Sequence, residues 1–329
     1  MKKSLAVFAA TLIVVITGSV WAVPAMYKSY EVPTAYSLPA RISADIKGHI
    51  WFIESNSNKI GKFQFPGEHF TEFDIPTTRS FPSDIIAGSD NKVWFTEQDA
   101  NQLGVFDPVS GAFREYDIPT IDSLPYRIAS DASGNIWFTE FDGNKLGMFD
   151  PDKEVFREFA IPTPRSQPTG ITVDQKGRVW FLETQANKLG MLEPDKGVIT
   201  EFVIPSPFEA PRELTIDQSG VVWFAGRKGR KLMGFDPSSK SFREFKVPGG
   251  GVIEGLVVSE DRKIIYSLGR KGKLGIFDLD NEKFLEFEIL LGDGQFNDID
   301  IDNNGDIWVV DMRKGVLVMV DAQAVSKTW

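Results

Sequence analysis

A tryptophan on a fixed period constrains this chain more than any other feature. Trp51, Trp94, Trp137, Trp180 and Trp223 stand 43 residues apart; Tyr266 falls 43 further on, and Trp308 another 42. The text around them repeats as IWFIE, VWFTE, IWFTE, VWFLE, VWFAG, IIYSL and IWVVD. Downstream come NKIGKF, NQLGVF, NKLGMF, NKLGML, RKLMGF, GKLGIF and GVLVMV, and units one to six close on text such as FREFAIPT. A period of about 40–45 residues with several strands per unit is that of a propeller blade. In the third unit the apolar runs are RIAS (127–130), IWFTE (136–140), KLGMFD (145–150) and FREFAIP (156–162), separated by Asp, Gly, Asn and Pro turns. No 3.6-residue periodicity accompanies them, which excludes a helical array. The expected fold is all-β: one seven-bladed propeller of four-stranded antiparallel blades, about 43 residues each from 35 to 321.

The seventh unit lacks its closing FREF-IP strand, whereas Tyr27–Thr34 (YKSYEVPT) matches that text ahead of the first unit. Pairing 27–34 with 314–321 completes blade seven and ties the ring shut; an open ring would leave sheet edges that fray. The prolines ending this fourth strand (Pro33, Pro76, Pro119, Pro162, Pro205, Pro248) suit an outer edge, where no ladder donor is needed.

Residues 26–329 are thus one domain, preceded by an export segment. Lys2 and Lys3, an apolar run from Leu5 to Ile16 and small-residue sites ending at Ala22 and Ala25 read as a secretory signal over residues 1–25. The propeller is then periplasmic or extracellular. The other reading is an uncleaved membrane anchor with the propeller outside the cytoplasm, the one case in which a membrane is a partner. With a formal charge of −10, nucleic acid is not the expected partner, and a monomer is expected. Zero cysteines remove disulfides and thiolate metal sites, and only two histidines, His49 and His69, are present. Both fall in turns of the face opposite the site, as surface residues. No GxSxG, HExxH or GxxxxGK pattern occurs.

Antiparallel blades sort residues by face. The starts of first strands, the ends of second strands and the inter-blade loops share one face, the channel mouth. Arg41, Asp84, Arg127, Gly170, Glu213, Gly255, Asn297 and Asp298 start the first strands and differ between units, which suits recognition. Glu54, Glu97, Glu140 and Glu183 end the second strands, with Gly226, Gly269 and Asp311 in their place later. Identity across four blades points to these glutamates, and to Asn58, Asn101, Asn144 and Asn187, serving the blade itself, for instance by accepting backbone N–H bonds. The sharper alternative is a carboxylate site for Mg2+ or Ca2+ built from Glu54, Glu213, Asp298 and Asp311. Units five to seven are basic on the same face: Arg227, Lys228, Arg230, Lys231, Arg270, Lys271, Lys273, Arg313 and Lys314. Such an arc on an acidic protein suits an anionic small molecule or a protein partner.

The repeated WFTE–NKLG–FREF-IPT text resembles the streptogramin (virginiamycin) B lyase family over residues 27–321. That resemblance implies a seven-bladed propeller and a Mg-dependent elimination that opens the ester bond of a cyclic depsipeptide. It places two histidines and two glutamates at the mouth, on the last blades. At the matching positions this chain has Gly255 and Asn297 for the histidines, Gln295 and Asp311 for the glutamates. The expectation is therefore a member without that activity, a binding propeller; the rival is a divalent-cation-dependent lyase or lactonase-like hydrolase acting on a cyclic ester.

Overall fold

The computed structural model describes residues 12–16, 19–23, 27–65, 67–207, 209–226, 228, 230–289, 291 and 294–321. They form seven antiparallel sheets, of which the first six blades run from an inner to an outer strand in sequence order. Blade three is representative, with strands Pro125–Ser130, Ile136–Glu140, Lys145–Asp150 and Val155–Ala160. Blade seven is Phe296–Ile301, Ile307–Asp311 and Val316–Val320, and its fourth strand is Tyr27–Glu31. Tyr27 lies opposite Val320 and Glu31 opposite Val316, so the ring closes as the repeat requires. Leu12–Ile16 and Ser19–Val23 form a hairpin that joins the outer edge of blade six through Val14 opposite Phe287. The remaining residues of 1–25, where a signal cleavage site is expected, lie outside the described residues.

Every second strand of blades one to five and seven is buried at all five positions, as a strand pressed between two neighbouring sheets must be. The fourth strands face solvent on one side, and their exposure alternates. The repeated KLG glycine has a steric cause: a Cβ at Gly147 would stand 2.1 Å from the Phe138 ring that lies across it. Each seam between blades is filled by its own apolar cluster, and six of the seven contain one tryptophan. In five of those, Nε1 donates to an aspartate of the blade's first hairpin, as Trp137 does to Asp131 at 2.9 Å.

The rest of the repeat text clasps blade to blade. Thr120 donates from N and Oγ1 to Glu158 of the next outer strand (3.0 and 2.8 Å), and Lys145 Nζ joins Glu158 at 2.7 Å. The Asn58, Asn101, Asn144 and Asn187 set does serve the blade. Each occupies a left-handed turn, φ 54–57°, which asparagine tolerates better than most residues. Asn144 donates to Ile161 O and Thr163 O and accepts from Ser166 N and Oγ.

Blade six departs from the expected register. Ile265 pairs with Ile276 and Tyr266 with Gly275, as Trp137 pairs with Met148 and Phe138 with Gly147. Ile265, not Tyr266, therefore takes the tryptophan's place, and Leu268, not Gly269, takes the glutamate's. A one-residue slip exchanges the faces of a strand, and spacing from Trp223 alone conceals it.

Candidate functional site at the channel mouth

Six of the seven first strands enter the ring through a local irregularity, at Pro39/Arg41, Pro82/Asp84, Pro125/Ile128, Pro168/Ile171, Ile253/Gly255 and Phe296/Asp298. Such bulges re-aim side chains. Two layers result. The lower one brings together Arg41, Asp84, Arg127, Glu213 and Asp298, from five blades. Arg41 Nε donates to Asp84 Oδ1 at 3.1 Å, and its two terminal nitrogens meet Glu213 Oε2 at 3.0 Å and Asp298 Oδ1 at 3.2 Å. Arg127 donates to Glu213 Oε1 at 2.5 Å, and its guanidinium lies 4.3 Å from the centre of the Tyr126 ring. The carboxylates also bind neighbouring backbones: Ile128 N donates to Asp84 and Ile42 N to Asp298, each at 3.0 Å.

The electrostatics follow from this geometry. Burial alone would lower the Arg41 pKa, but Asp298, Glu213 and Asp84 raise it well above its usual value. Burial pushes Glu213 upward, yet Arg127 and Arg41 together pull it below the usual carboxylate range. Asp298 is pushed up to about 7, chiefly by burial; Arg41 opposes this, while Glu213 and Asp84 add to it. Asp300, which accepts from Ala44 N at 2.7 Å, is raised by burial to about 6.

The upper layer forms a cavity of ≈ 260 Å³ lined by Ala40, Ser83, Tyr126, Arg212, Glu254, Gln295 and Asn297, with Arg41, Arg127 and Glu213 as its floor. Asp84 and Asp298 line the channel below, a second space of ≈ 350 Å³. Arg41 stands between the two. Tyr126, Arg212 and Glu254 are functional candidates that the sequence did not single out; each directly precedes a residue that it did. Beside this cavity the inter-blade loops hold non-glycine residues at positive φ, among them Tyr36 (58°), Leu38 (52°) and Phe81 (52°). Asn56 fixes the first by donating to Tyr36 O at 3.0 Å. These loops expose Tyr36, Leu38, Phe81 and Ile121 as an apolar arc on blades one to three.

The basic residues oppose that arc. Lys228, Arg230, Arg270, Arg313 and Lys314 are exposed. Lys231 is not a free rim charge: it binds Glu244 at 2.8 Å and Ser206 Oγ at 2.6 Å, as Lys145 does in blade three. Lys273 stands at the same register position in blade six. Arg227 and the side chain of Lys271 lie outside the described residues.

The repeated glutamates are buried inside their blades rather than ringed around the channel. Glu54, Glu97, Glu140 and Glu183 have no exposed surface and no hydrogen bond to either carboxyl oxygen. The backbone N–H groups expected to bind them go elsewhere: Phe141 N donates to Leu124 O, and Asp142 N to Ser123 O. Burial pushes each of the four to about 7. Asp311, their counterpart in blade seven, does accept from Gln295 N, Arg313 N and Lys314 N. Of the proposed cation ligands, Glu213 and Asp298 meet at Arg41, and Glu54 lines neither the mouth cavity nor the channel. Among the described residues, no three His, Asp or Glu side chains are grouped to hold a metal ion. His69 is exposed as expected; His49 is half-buried.

The sequence matches the virginiamycin B lyase family over residues 20–232. The chain belongs to that family. Its fold agrees with a solved virginiamycin B lyase from Staphylococcus aureus at a TM-score of 0.84 and 27% identity, over 89% of this chain and 98% of that one. A solved streptogramin B lyase gives 0.84 and 25%, over 90% and 97%. A catalytically inactive form of the S. aureus lyase, solved with quinupristin, gives 0.82 and 27%, over 89% and 99%. No curated protein matches. Within this virginiamycin B lyase family member, the positions implied for the lyase chemistry are differently employed. A Cβ at Gly255 would meet Ile299 N and Cγ2 at 2.9 Å, so that position does not admit a histidine side chain here. Asn297 Nδ2 donates to Ala40 O at 2.8 Å, closing the seam between blades seven and one.

Proposed function

We propose that this chain is an exported member of the virginiamycin B lyase family that binds an amphipathic, anionic small molecule at the channel mouth without opening a cyclic ester. The observation that carries the reading is the floor of the mouth cavity. Arg41 and Arg127 are held by Glu213, Asp84 and Asp298, and among the described residues lining the cavity there is no histidine or lysine to act as the base of an elimination. The same cavity is lined by apolar Leu38, Phe81 and Met312 and by the guanidinium-bearing Arg212, and the loops of blades five to seven add exposed Arg230, Arg270 and Arg313 to the same face. A ligand with an apolar body and a carboxylate or sulfate end matches both. Export rests on the Lys2–Lys3 and Leu5–Ile16 pattern at the N-terminus.

A second reading, an enzyme, has one observation in its favour. Asp298 carries a pKa near 7, where a general base works best. Its carboxylate, however, lines the channel on the far side of Arg41 from the mouth cavity.

A thermal-shift screen of aromatic and alkyl carboxylates and sulfates tests the proposal, since a ligand of the native state raises the melting temperature. Hits should lose their shift in Tyr126→Ala and Arg212→Glu. Hits that survive both substitutions would place binding elsewhere, and a screen without hits would remove the anionic ligand class.

A further inference from the structure

The seam between blades six and seven is built unlike the other six. Elsewhere an indole fills the seam and packs on the facing blade, as Trp51 does on Phe106, Trp94 on Phe149 and Trp308 on Phe63. At this seam Ile265 replaces the tryptophan. Val320, paired with Ile307 as Phe63 is with Ile50, replaces the facing ring. Ser259 holds the hairpin position of the aspartate that elsewhere binds the indole N–H, donating from N to Lys263 O as Asp131 does to Asn135 O. The outcome is visible in the cavities. At the seam between blades one and two, around Trp51, the groove on the face opposite the mouth holds ≈ 30 Å³; at this seam it holds ≈ 580 Å³. Its walls are Val257, Ile265, Ile276, Ile301 and Ile307. Ile265, Ile276 and Ile307 are buried beneath it, so its base is apolar.

The rim carries acids. Glu260, Asp261, Asp300 and Asp302 line the cleft, Asp300 accepting from Ala44 N, and Lys263 is the cation among the described lining residues. Lys263 is bound to Asp261, and Asp302 holds the indole of Trp308. Glu260 is exposed, and its carboxylate is in no ion pair among the described residues.

We infer that the cleft between blades six and seven is a second binding site, for a small planar aromatic amine whose ring enters between the blades and whose ammonium meets Glu260. The apolar base of the cleft offers an aromatic ring a surface to pack on, its open polar rim leaves room for a charged end, and the volume lies within the range of small-ligand sites. The site is on the face opposite the mouth and does not depend on the function proposed there.

Tryptamine is the probe, titrated into the folded protein by calorimetry. A dissociation constant of about 0.1–1 mM is expected for so small a ligand, with neutral indole and Glu260→Gln each weaker by roughly two- to fivefold. Ile265→Trp should restore the common seam, raise the melting temperature and abolish binding. Should that variant misfold, intermolecular NOEs in the wild type decide the matter: tryptamine ring protons should meet the methyls of Ile265, Ile276, Ile301 and Ile307. No binding at several times the upper end of that range, about 1 mM, binding retained in Ile265→Trp, or NOEs to other methyls would overturn the site. Binding that appears only after removal of residues 322–329 would make the chain's own Trp329 the occupant, and would equally overturn it.

Discussion

Blades one to four and blades five to seven meet the same structural demand in different ways. At the end of the second strand the first four each place a fully buried glutamate, Glu54, Glu97, Glu140 and Glu183, with no hydrogen bond to it. Blade five has Gly226 there, and the carboxylate of Glu209 reaches in from an inter-blade loop: a Cβ on Gly226 would stand 2.4 Å from Glu209 Oε2. Blade six has the apolar Leu268. Blade seven has the shorter Asp311, bound by three backbone N–H groups. The asparagine that follows varies in the same blades. Its left-handed turn is taken by Arg230 (φ 52°), Gly272 (57°) and Gly315 (67°). The repeated glutamate and asparagine of the four near-identical blades thus serve the scaffold, while the first strands of blades one to three serve the mouth. The three divergent ones release those positions and supply Arg212, Glu254, Asn297 and the exposed basic rim to the mouth.

That contrast is open to attack by substitution. Arg41→Met should have the largest effect, because it leaves Asp84, Glu213 and Asp298 facing one another in a buried space. A loss of about 3–5 kcal/mol in urea unfolding is expected, and a loss below about 1 kcal/mol would mean that the mouth floor is not a structural network.

The pH dependence comes next. Glu54, Glu97, Glu140 and Glu183 have folded pKa values raised to about 7 from the ordinary 4.5, chiefly by burial. Their stabilising contribution is therefore complete below about pH 4.5 and is lost as pH rises through 7. Glu158, Glu201 and Asp174 have lowered values, held down by hydrogen bonds and lysine or arginine against the opposing effect of burial, and lose their contribution only below the usual carboxylate range. The melting temperature should peak near pH 5 and fall toward about pH 8. Glu140→Gln should flatten the fall and gain roughly 1–3 kcal/mol at the alkaline end. A profile rising from pH 5 to 8 would mean that these glutamates are ionised and bound.

A smaller effect separates the two kinds of turn. Asn144→Ala loses four hydrogen bonds and places alanine at positive φ, a cost of about 2 kcal/mol. Asn144→Gly, which copies blade six, should cost about half as much. Equal costs would detach the asparagine's conformation from its role. Least of all, Arg270→Glu with Lys314→Glu should move stability by no more than about 0.5 kcal/mol while altering recognition of anions at the mouth.

Much of the ring was legible in the sequence because a propeller states its plan seven times. The period gave the blades, the truncated seventh unit gave the closure, and the identity of the four asparagines gave their structural duty. Two of the misreadings, at Tyr266 and at the mouth wall, share a cause, a shift of one residue. Isoleucine in the tryptophan place and tyrosine in the phenylalanine place made Tyr266 look like the period's next member, and the cleft beside Ile265 went unseen. The entry bulges of blades three and six bring Tyr126 and Glu254 to the mouth wall, where Arg212 of blade five joins them, while Arg127 and Glu213 lie in its floor. The ion network joins Arg41 to Glu213, 172 positions along the chain, and to Asp298, farther still, and spacing carries no trace of such pairs.

The central claim is that this family member binds at its mouth without the family's chemistry. Quinupristin, the compound in the solved complex of the inactive S. aureus lyase, tests it most directly when incubated with the purified protein and Mg2+ and followed by chromatography and mass spectrometry. The expected result is unchanged cyclic compound at all times. A linear product of equal mass would reveal elimination, and one heavier by a single water would reveal hydrolysis; either one, produced by this protein and lost in Asp298→Asn, would contradict the account.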